Sequence, residues 1–459
     1  MSPQAGCRGT RRTHGRAMSA LRRLLLSTLA VLCVSLGFAQ PAAPTGELPR
    51  RGFFGTRLGY VAQPVAGGQV GRVRPDSPAE KLGLKTGDIV THINGRAVDA
   101  TFAAQFTRRP LAGEKLTLTV LRAGDTQQLE TTLPEFPRES YANAEIIYTH
   151  VTDAKGQRLR LTVTKPKNAT GKVPVILIAG WLSENPVESP DIMQDEISKI
   201  FRGLADSSGF AVMRVDKPGS GDSDGDAATG DFDTELAGYQ LAFRELARFD
   251  FLDRDRVFIY GLSNGGGFAP LIAQGAPVRG YIVFGGWAKT WFEHMMEIER
   301  RIATLSGKTP GEVNARQKQI AELYTDYLVH GRAPAEIFAA KPQLRALWTD
   351  PTPDVQYGRP YTYYQQLQKL NLAEAWSKVA VPTLAMHGEF DWIMSREDHE
   401  LIASLVNKNT PGAAEFVAVP KTGHGYQTFA SWEKSFNWQA DAFDETHLTR
   451  LKDWLAKHR

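Results

Sequence analysis

The chain has 459 residues, of which 42% are hydrophobic and 23% charged. That composition leaves room for two domains with ordinary cores, and it excludes a largely disordered chain, a collagen-like repeat and a multi-span membrane protein. The formal charge of +4 suggests an acidic partner at first sight, but the excess is local. Arg8, Arg11, Arg12, Arg16, Arg22 and Arg23 precede an apolar run, Leu24–Phe38, that is shorter than the roughly 20 residues a spanning helix needs. Small Gly37, at the end of the run, and Ala39, just after it, stand at the −3 and −1 positions of a cleavage site, and Pro41 and Pro44 come next. This order predicts a secretory signal peptide over residues 1–39, cleaved after Ala39, with Met18 as a second possible start. Its removal takes six of the 54 basic residues, leaving 48 against 50 acidic ones and a net charge of −2. It also takes Cys7 and Cys33, so the mature chain would form no disulfide, and an exported, periplasmic or secreted location rests on the leader alone.

Residues 40–52 read as a weakly structured, Pro-containing linker. From Phe53 to Phe136 the texture is short strands and turns. Lys115–Leu121 alternates apolar and polar residues as a half-buried strand does, and Gly67-Gly68, Gly83, Gly87 and Asn94-Gly95 mark turns. Ser77-Pro-Ala-Glu80 opens a short helix, with Ser77 as cap and Glu80 completing a capping box.

The stretch SPAEKLGLKTGDIVTHINGRAV (Ser77–Val98) resembles the core of bacterial PDZ modules, such as those attached to periplasmic serine proteases. The resemblance implies a small β-rich domain over 53–136. It also implies that Phe53, Phe54, Gly55 and Thr56 form the loop and strand that capture a peptide's C-terminal carboxylate, the peptide adding as a strand to an exposed edge.

From Ala144 the pattern changes. Strands are expected at Arg158–Pro166, Val173–Gly180, Phe210–Val215, Arg256–Gly261, Val278–Phe284, Val381–His387 and Glu415–Val419. Helices are expected at Asp191–Asp206, Thr234–Phe249, Gly267–Gln274 and Thr446–Lys457. Short apolar strands alternating with helices imply a doubly wound, mostly parallel sheet covered on both faces. The alternation stops between about 287 and 378. That stretch is helical and aromatic (Trp287, Trp291, Tyr324, Tyr327, Tyr363 and Tyr364 among others) and reads as a cap inserted over an active-site mouth, favouring a partly apolar substrate group.

Gly261-Leu-Ser263-Asn-Gly265 fits G-x-S-x-G between a strand and a helix, the context that a nucleophile elbow requires. A serine needs a base, and the chain order for this arrangement is Ser, acid, His. His424, in the Gly-flanked loop Lys421–Gly425 after the last strand, is the expected base. His399 reads as exposed helix beside Arg396, Glu397 and Asp398, while His447 and His458 fall in the terminal helix. Asp391, in the turn after Val381–Ala385, is the expected acid, with Glu389 as runner-up and His387 as a structural neighbour. An oxyanion hole needs two N–H donors; Asn264 supplies one, and the loop after Ala179-Gly180 supplies the other from Trp181, with Leu182 next.

Together these residues resemble the alpha/beta-hydrolase superfamily over 144–459, and within it bacterial serine esterases with a helical cap. Asp216-Lys-Pro-Gly219-Ser-Gly221-Asp-Ser223 is similar to that family's D-x-x-G-x-G-x-S turn, whose implied role is turn geometry. Where many members have His-Gly at the oxyanion strand end, this chain has Ala179-Gly180. The resemblance implies a serine hydrolase acting on small carboxylic esters through Ser263, His424 and Asp391. No metal or cofactor motif, nucleotide fingerprint or nucleic-acid-binding basic patch is evident. A peptidase of the prolyl-oligopeptidase or aminopeptidase kind, and a non-catalytic binding protein on the same scaffold, are the alternatives.

Overall fold

A computed structural model describes residues 46–459, apart from 100, 101, 104, 105, 107–109, 228 and 351. The expected signal peptide and the first residues of the expected linker lie outside the described residues.

The N-terminal module is a sheet of β1 (Leu58–Val61), β2 (Gly67–Val70), β3 (Ile89–Ile93), β4 (Arg96–Ala97), β5 (Lys115–Arg122) and β6 (Asp125–Thr132). Its order is β1-β2-β3-β5-β6 with β4 on β3, so β1 is an edge strand. Alternation in β5 buries Leu116, Leu118 and Val120 against Phe54, Val70, Ala79, Leu84 and Val90. Ser77 caps the helix Pro78–Lys81 by accepting from Glu80 N–H, as expected. The Glu80 carboxylate, however, takes the N–H of Asp76, one residue upstream of the place a capping box requires.

The second sheet comprises β7 (Ala144–Thr152), β8 (Arg158–Pro166), β9 (Val173–Ala179), β10 (Ala211–Val215), β11 (Leu252–Leu262) and β12 (Gly280–Phe284). After a short cap hairpin, β13 (Val355–Gln356) and β14 (Arg359–Pro360), it is completed by β15 (Thr383–Gly388) and β16 (Ala414–Val419). The order is β16-β15-β12-β11-β9-β10-β8-β7, parallel from β16 to β10 and antiparallel at β8 and β7. Every residue of β9 is buried, and its alternation divides the core. Val175, Leu177 and Ala179 face the helices Phe232–Glu245 and Asn264–Ile272, whereas Ile176 and Ile178 face Glu196–Ser207 and Thr446–His458.

Between β12 and β15 lie the helices Trp291–Leu305, Pro310–Tyr324, Pro334–Ala340, Tyr361–Gln368 and Leu372–Ser377, which form the cap. Capping boxes at Thr290/Glu293 and Thr309/Glu312 open the first two. Trp287, Tyr324, Tyr327, Tyr363 and Tyr364 are fully buried, so much of the aromatic content joins the cap to the core on this face of the sheet.

Four expectations change. The helix after β9 starts at Glu196, capped by Asp195, because residues 181–194 form a long loop. The strand before the elbow extends back to Leu252 through a register shift against β9. Residues 46–52 are not a loose linker: Leu48, Arg50 and Arg51 are buried, and Arg51 and Gly52 bridge to Leu111 and Glu135. His399, expected on an exposed helix, is fully buried.

Candidate active site

Ser263 sits between β11 and the helix Asn264–Ile272 with φ +54° and ψ −123°. That sharp turn depends on its glycines. A Cβ on Gly265 would lie 2.3 Å from the carbonyl oxygen of Ala179, and one on Gly261 would lie 2.5 Å from the Cα of Gly266. The helix therefore starts hard against the end of β9, with Gly265 N–H bonded to Gly180 O at 2.9 Å.

The tips of three strands bring the polar side chains together. Ser263 Oγ lies 2.9 Å from His424 Nε2, and His424 Nδ1 lies 2.8 Å from Asp391 Oδ2. With the hydroxyl donating to Nε2, the ring carries its proton on Nδ1 and donates it to the carboxylate. Asp391 is 1% exposed, and its other oxygen accepts from Ile393 N–H at 2.9 Å and Met394 N–H at 3.0 Å. Burial alone would raise this carboxyl; attraction and hydrogen bonding from His424, then the nearby His387 and Met394 N–H, hold it well below the usual carboxylate range. Glu389 is exposed and takes Lys421 N–H instead. Of the other histidines, His387 is buried and pairs its Nε2 with Met394 O at 3.3 Å, and His447 and His458 belong to the terminal helix.

Asn264 is the first residue of its helix, so its N–H has no partner within the helix, and the positive end of the helix dipole lies at Ser263. Trp181 and Leu182 start the loop after β9; Trp181 is half-buried and stacks on Phe201. The two N–H candidates are thus carried by segments joined through the Gly265–Gly180 bond.

Several supporting residues were not singled out from sequence. Asp398 Oδ1 accepts from Ala288 N–H at 2.8 Å and Lys289 N–H at 3.0 Å, and His399 Nε2 accepts from Gly286 N–H at 2.9 Å. These bonds fix the turn after β12, where Gly285 passes so close beneath the pair that an added Cβ would lie 3.0 Å from the His424 ring. Their signal was the spacing of His399, Ile402, Ala403 and Val406, one face of a helix, outweighed by the charged residues beside it.

In the N-terminal module, Phe54 packs edge-on against Phe106 at 5.3 Å in the core, and half-buried Phe53 packs against Phe136 at 5.8 Å. Gly55, at φ +95°, abuts Ser77, and Thr56 is buried. Arg51, just before them, reaches away to Glu188 at 3.2 Å.

Comparison with known proteins agrees with both halves. The PDZ domain family matches residues 69–122. A probable periplasmic serine endoprotease, DegP-like, from Marinomonas sp. (strain MWYL1) is 38% identical over 74 residues, 16% of this chain and 16% of that protein. The chain thus spans less than a fifth of that relative's length. Among solved structures, a hypothetical protein of Pseudomonas aeruginosa (16% identity, TM-score 0.44) covers 71% of this chain and 96% of its own. Est1E of Butyrivibrio proteoclasticus with bound ferulic acid (17% identity, TM-score 0.44) covers 68% and 98%. The family described as X-Pro dipeptidyl-peptidase (S15 family) matches residues 155–425, more than half of the chain. The chain belongs to the S15 family: it is an alpha/beta-hydrolase-type serine hydrolase preceded by a PDZ domain.

Proposed function

We propose that this serine hydrolase cleaves carboxylic esters with Ser263 as nucleophile, His424 as general base and acid, and Asp391 as the carboxylate that orients the imidazole. The observation that carries the reading is the continuous Ser263–His424–Asp391 chain, at 2.9 and 2.8 Å. His424 accepts the hydroxyl proton as Oγ attacks the acyl carbon, and Asp391 stabilises the imidazolium. The N–H groups of Asn264 and Trp181, with Leu182 as the alternative on the same loop, receive the oxyanion. His424 then returns its proton to the leaving alcohol. A water activated by the same ring releases the acid from the acyl-enzyme.

The family match favours a second reading, removal of an X-Pro dipeptide. Such a site needs a carboxylate to hold the substrate's terminal ammonium. Glu235, the buried acid tied to the elbow, is already engaged by Lys217, Arg359 and Tyr363, and Glu299 in the cap by Arg316. This supports the ester reading. Parallel assays with p-nitrophenyl butyrate and an Xaa-Pro p-nitroanilide decide between them. Ester turnover with anilide turnover at least about tenfold weaker in kcat/KM is expected; the reverse ranking overturns the ester reading.

The PDZ domain is proposed to take a peptide C-terminus along the edge strand β1. Export rests on the leader over residues 1–39 and agrees with the periplasmic description of the PDZ relative. Among the described residues no helix is long and apolar enough to cross a membrane.

A further inference from the structure

We propose that Lys217 is a positioning residue for the oxyanion donors and that Glu235 extends its hold to the nucleophile elbow, an inference that rests on the hydrolase reading above. The loop after β9 carries the Trp181 and Leu182 N–H groups, and it is pinned group by group from one short turn, Asp216–Ser220. Lys217 Nζ donates to the carbonyls of Trp181 and of Ser183, the latter at 2.9 Å. Ser220 Oγ donates to Glu184 O at 2.7 Å, and Asp216 Oδ1 accepts from Val187 N–H at 2.8 Å. The D-x-x-G-x-G turn is thus the scaffold on which this loop is built.

The planar trans peptide makes the hold on carbonyls a hold on N–H groups, because the two point in opposite directions within each unit. The Gly180–Trp181 peptide is fixed by its carbonyl accepting from Gly265 N–H. The Trp181–Leu182 peptide is fixed by its carbonyl accepting from Lys217. Both planes that flank Trp181 are therefore set, and with them the directions of the Trp181 and Leu182 N–H groups. Tyr239 completes the clamp, its hydroxyl accepting from Gly180 N–H at 3.0 Å.

The same network reaches the other donor. Lys217 Nζ lies 3.3 Å from Glu235 Oε1. Glu235 Oε2 accepts from the Tyr363 hydroxyl at 3.1 Å and from Arg359 Nη2 at 2.5 Å. Tyr363 in turn accepts from Asn264 Nδ2 at 3.0 Å, and Trp287 Nε1 donates to Asn264 Oδ1 at 3.2 Å. One buried carboxylate is thereby tied to both oxyanion segments, through Lys217 on one side and Tyr363 on the other. Lys217 is 4% exposed and Glu235 2%. An ammonium and a carboxylate withdrawn this far from water are costly, and well-packed apolar residues would fill the space at least as stably. What apolar residues cannot do is hold two loop carbonyls in fixed directions.

The test uses the full chain and three variants, Lys217→Met, Lys217→Arg and Tyr363→Phe, with Ser263→Ala alongside. Lys217→Met is expected to keep the far-ultraviolet circular dichroism of the parent and a KM for p-nitrophenyl butyrate within about twofold, while kcat falls about 100-fold, the size of effect seen on loss of an oxyanion donor. Lys217→Arg, which still offers donors to the carbonyls, is expected to recover kcat to within about tenfold of the parent. A merely structural role predicts neither the kcat-only loss nor the rescue. A folded Lys217→Met with unchanged kcat, or a loss confined to KM, overturns the proposal. Should Lys217→Met fail to fold, Tyr363→Phe removes only one hydroxyl from the network; a kcat about tenfold lower at constant KM supports the proposal and an unchanged kcat overturns it. Ser263→Ala separates the two levels: its loss of turnover beside an unaffected Lys217→Met defeats the positioning role alone, whereas its retained turnover defeats the hydrolase reading with it.

Discussion

Ser263 holds φ +54°, a conformation that costs a side-chain-bearing residue on the order of 1–3 kcal/mol. The surrounding glycines make the turn possible, and the proposed gain is a hydroxyl delivered within 2.9 Å of His424 Nε2. This part was legible in sequence because a tight strand-to-helix turn restricts which residues can stand at 261, 263 and 265. The choice of Asp391 over Glu389 was legible only as a preference; burial and two backbone N–H donors distinguish Asp391, and neither leaves a mark in the local sequence. Gly285 left no signal at all. At φ +60°, with an added Cβ 3.0 Å from His424 and 3.3 Å from Asp391 Oδ2, a methyl group there would press the imidazole aside by a few tenths of an ångström. Gly285→Ala is expected to displace the imidazole and lower kcat about tenfold or more, read from steady-state ester hydrolysis; unchanged kcat would show that the ring tolerates the displacement.

At the scale of elements, the helix Arg396–Asn409 does more than cover β15. Asp398 and His399 face inward and collect three N–H groups from the turn after β12. Composition suggested an exposed surface because Arg396, Glu397 and Asp398 open the helix, yet the positions that are apolar further along set which face is buried. Asp398→Ala would strand the buried Ala288 N–H away from water and remove the acceptor of the part-buried Lys289 N–H and of Ser395. The expected cost is about 1–3 kcal/mol for the stranded group, read from urea denaturation; a midpoint unchanged from the parent would contradict it. The doubly wound architecture was readable from apolar runs alternating with amphipathic helices; the strand order and the antiparallel edge of β8 and β7 were not, because pairing partners leave no mark in the local pattern. The hairpin β13–β14 was not: two-residue strands carry no periodicity.

At the scale of the molecule, the segment that leads into the PDZ domain is tied to the hydrolase by buried ion pairs. Arg50 contacts Glu188 at 2.9 Å and Asp222 at 2.5 Å, and Arg51 contacts Glu188 at 3.2 Å. Arg160 contacts Glu188 at 2.5 Å and also Asp216. Partners separated by more than a hundred positions give no local signature, which is why residues 46–52 read as a linker. Titration also acts on the whole fold. Burial lowers His399 to about 4 and His294 to about 3, and also lowers His387, from an ordinary value of 6.5. Below 6.5 the unfolded chain takes up protons that these rings refuse, so their contribution is complete above that value and declines as pH falls from about 6.5 towards 4. Each such ring removes up to about 1.4 kcal/mol per pH unit across its window. Chemical denaturation at pH 7.5, 6 and 5 is therefore expected to show falling stability, with a shallower slope in His399→Gln; a flat profile would contradict the buried neutral rings.

The activated nucleophile proposed for this hydrolase is one serine, Ser263. Its most direct measurement is reaction of the full chain with a fluorophosphonate, followed by mass-spectrometric mapping of the adduct. The expected result is one phosphonyl group per chain on the peptide containing Ser263, and none on Ser263→Ala. Labelling at another residue, or no labelling of the folded wild-type chain, would contradict it.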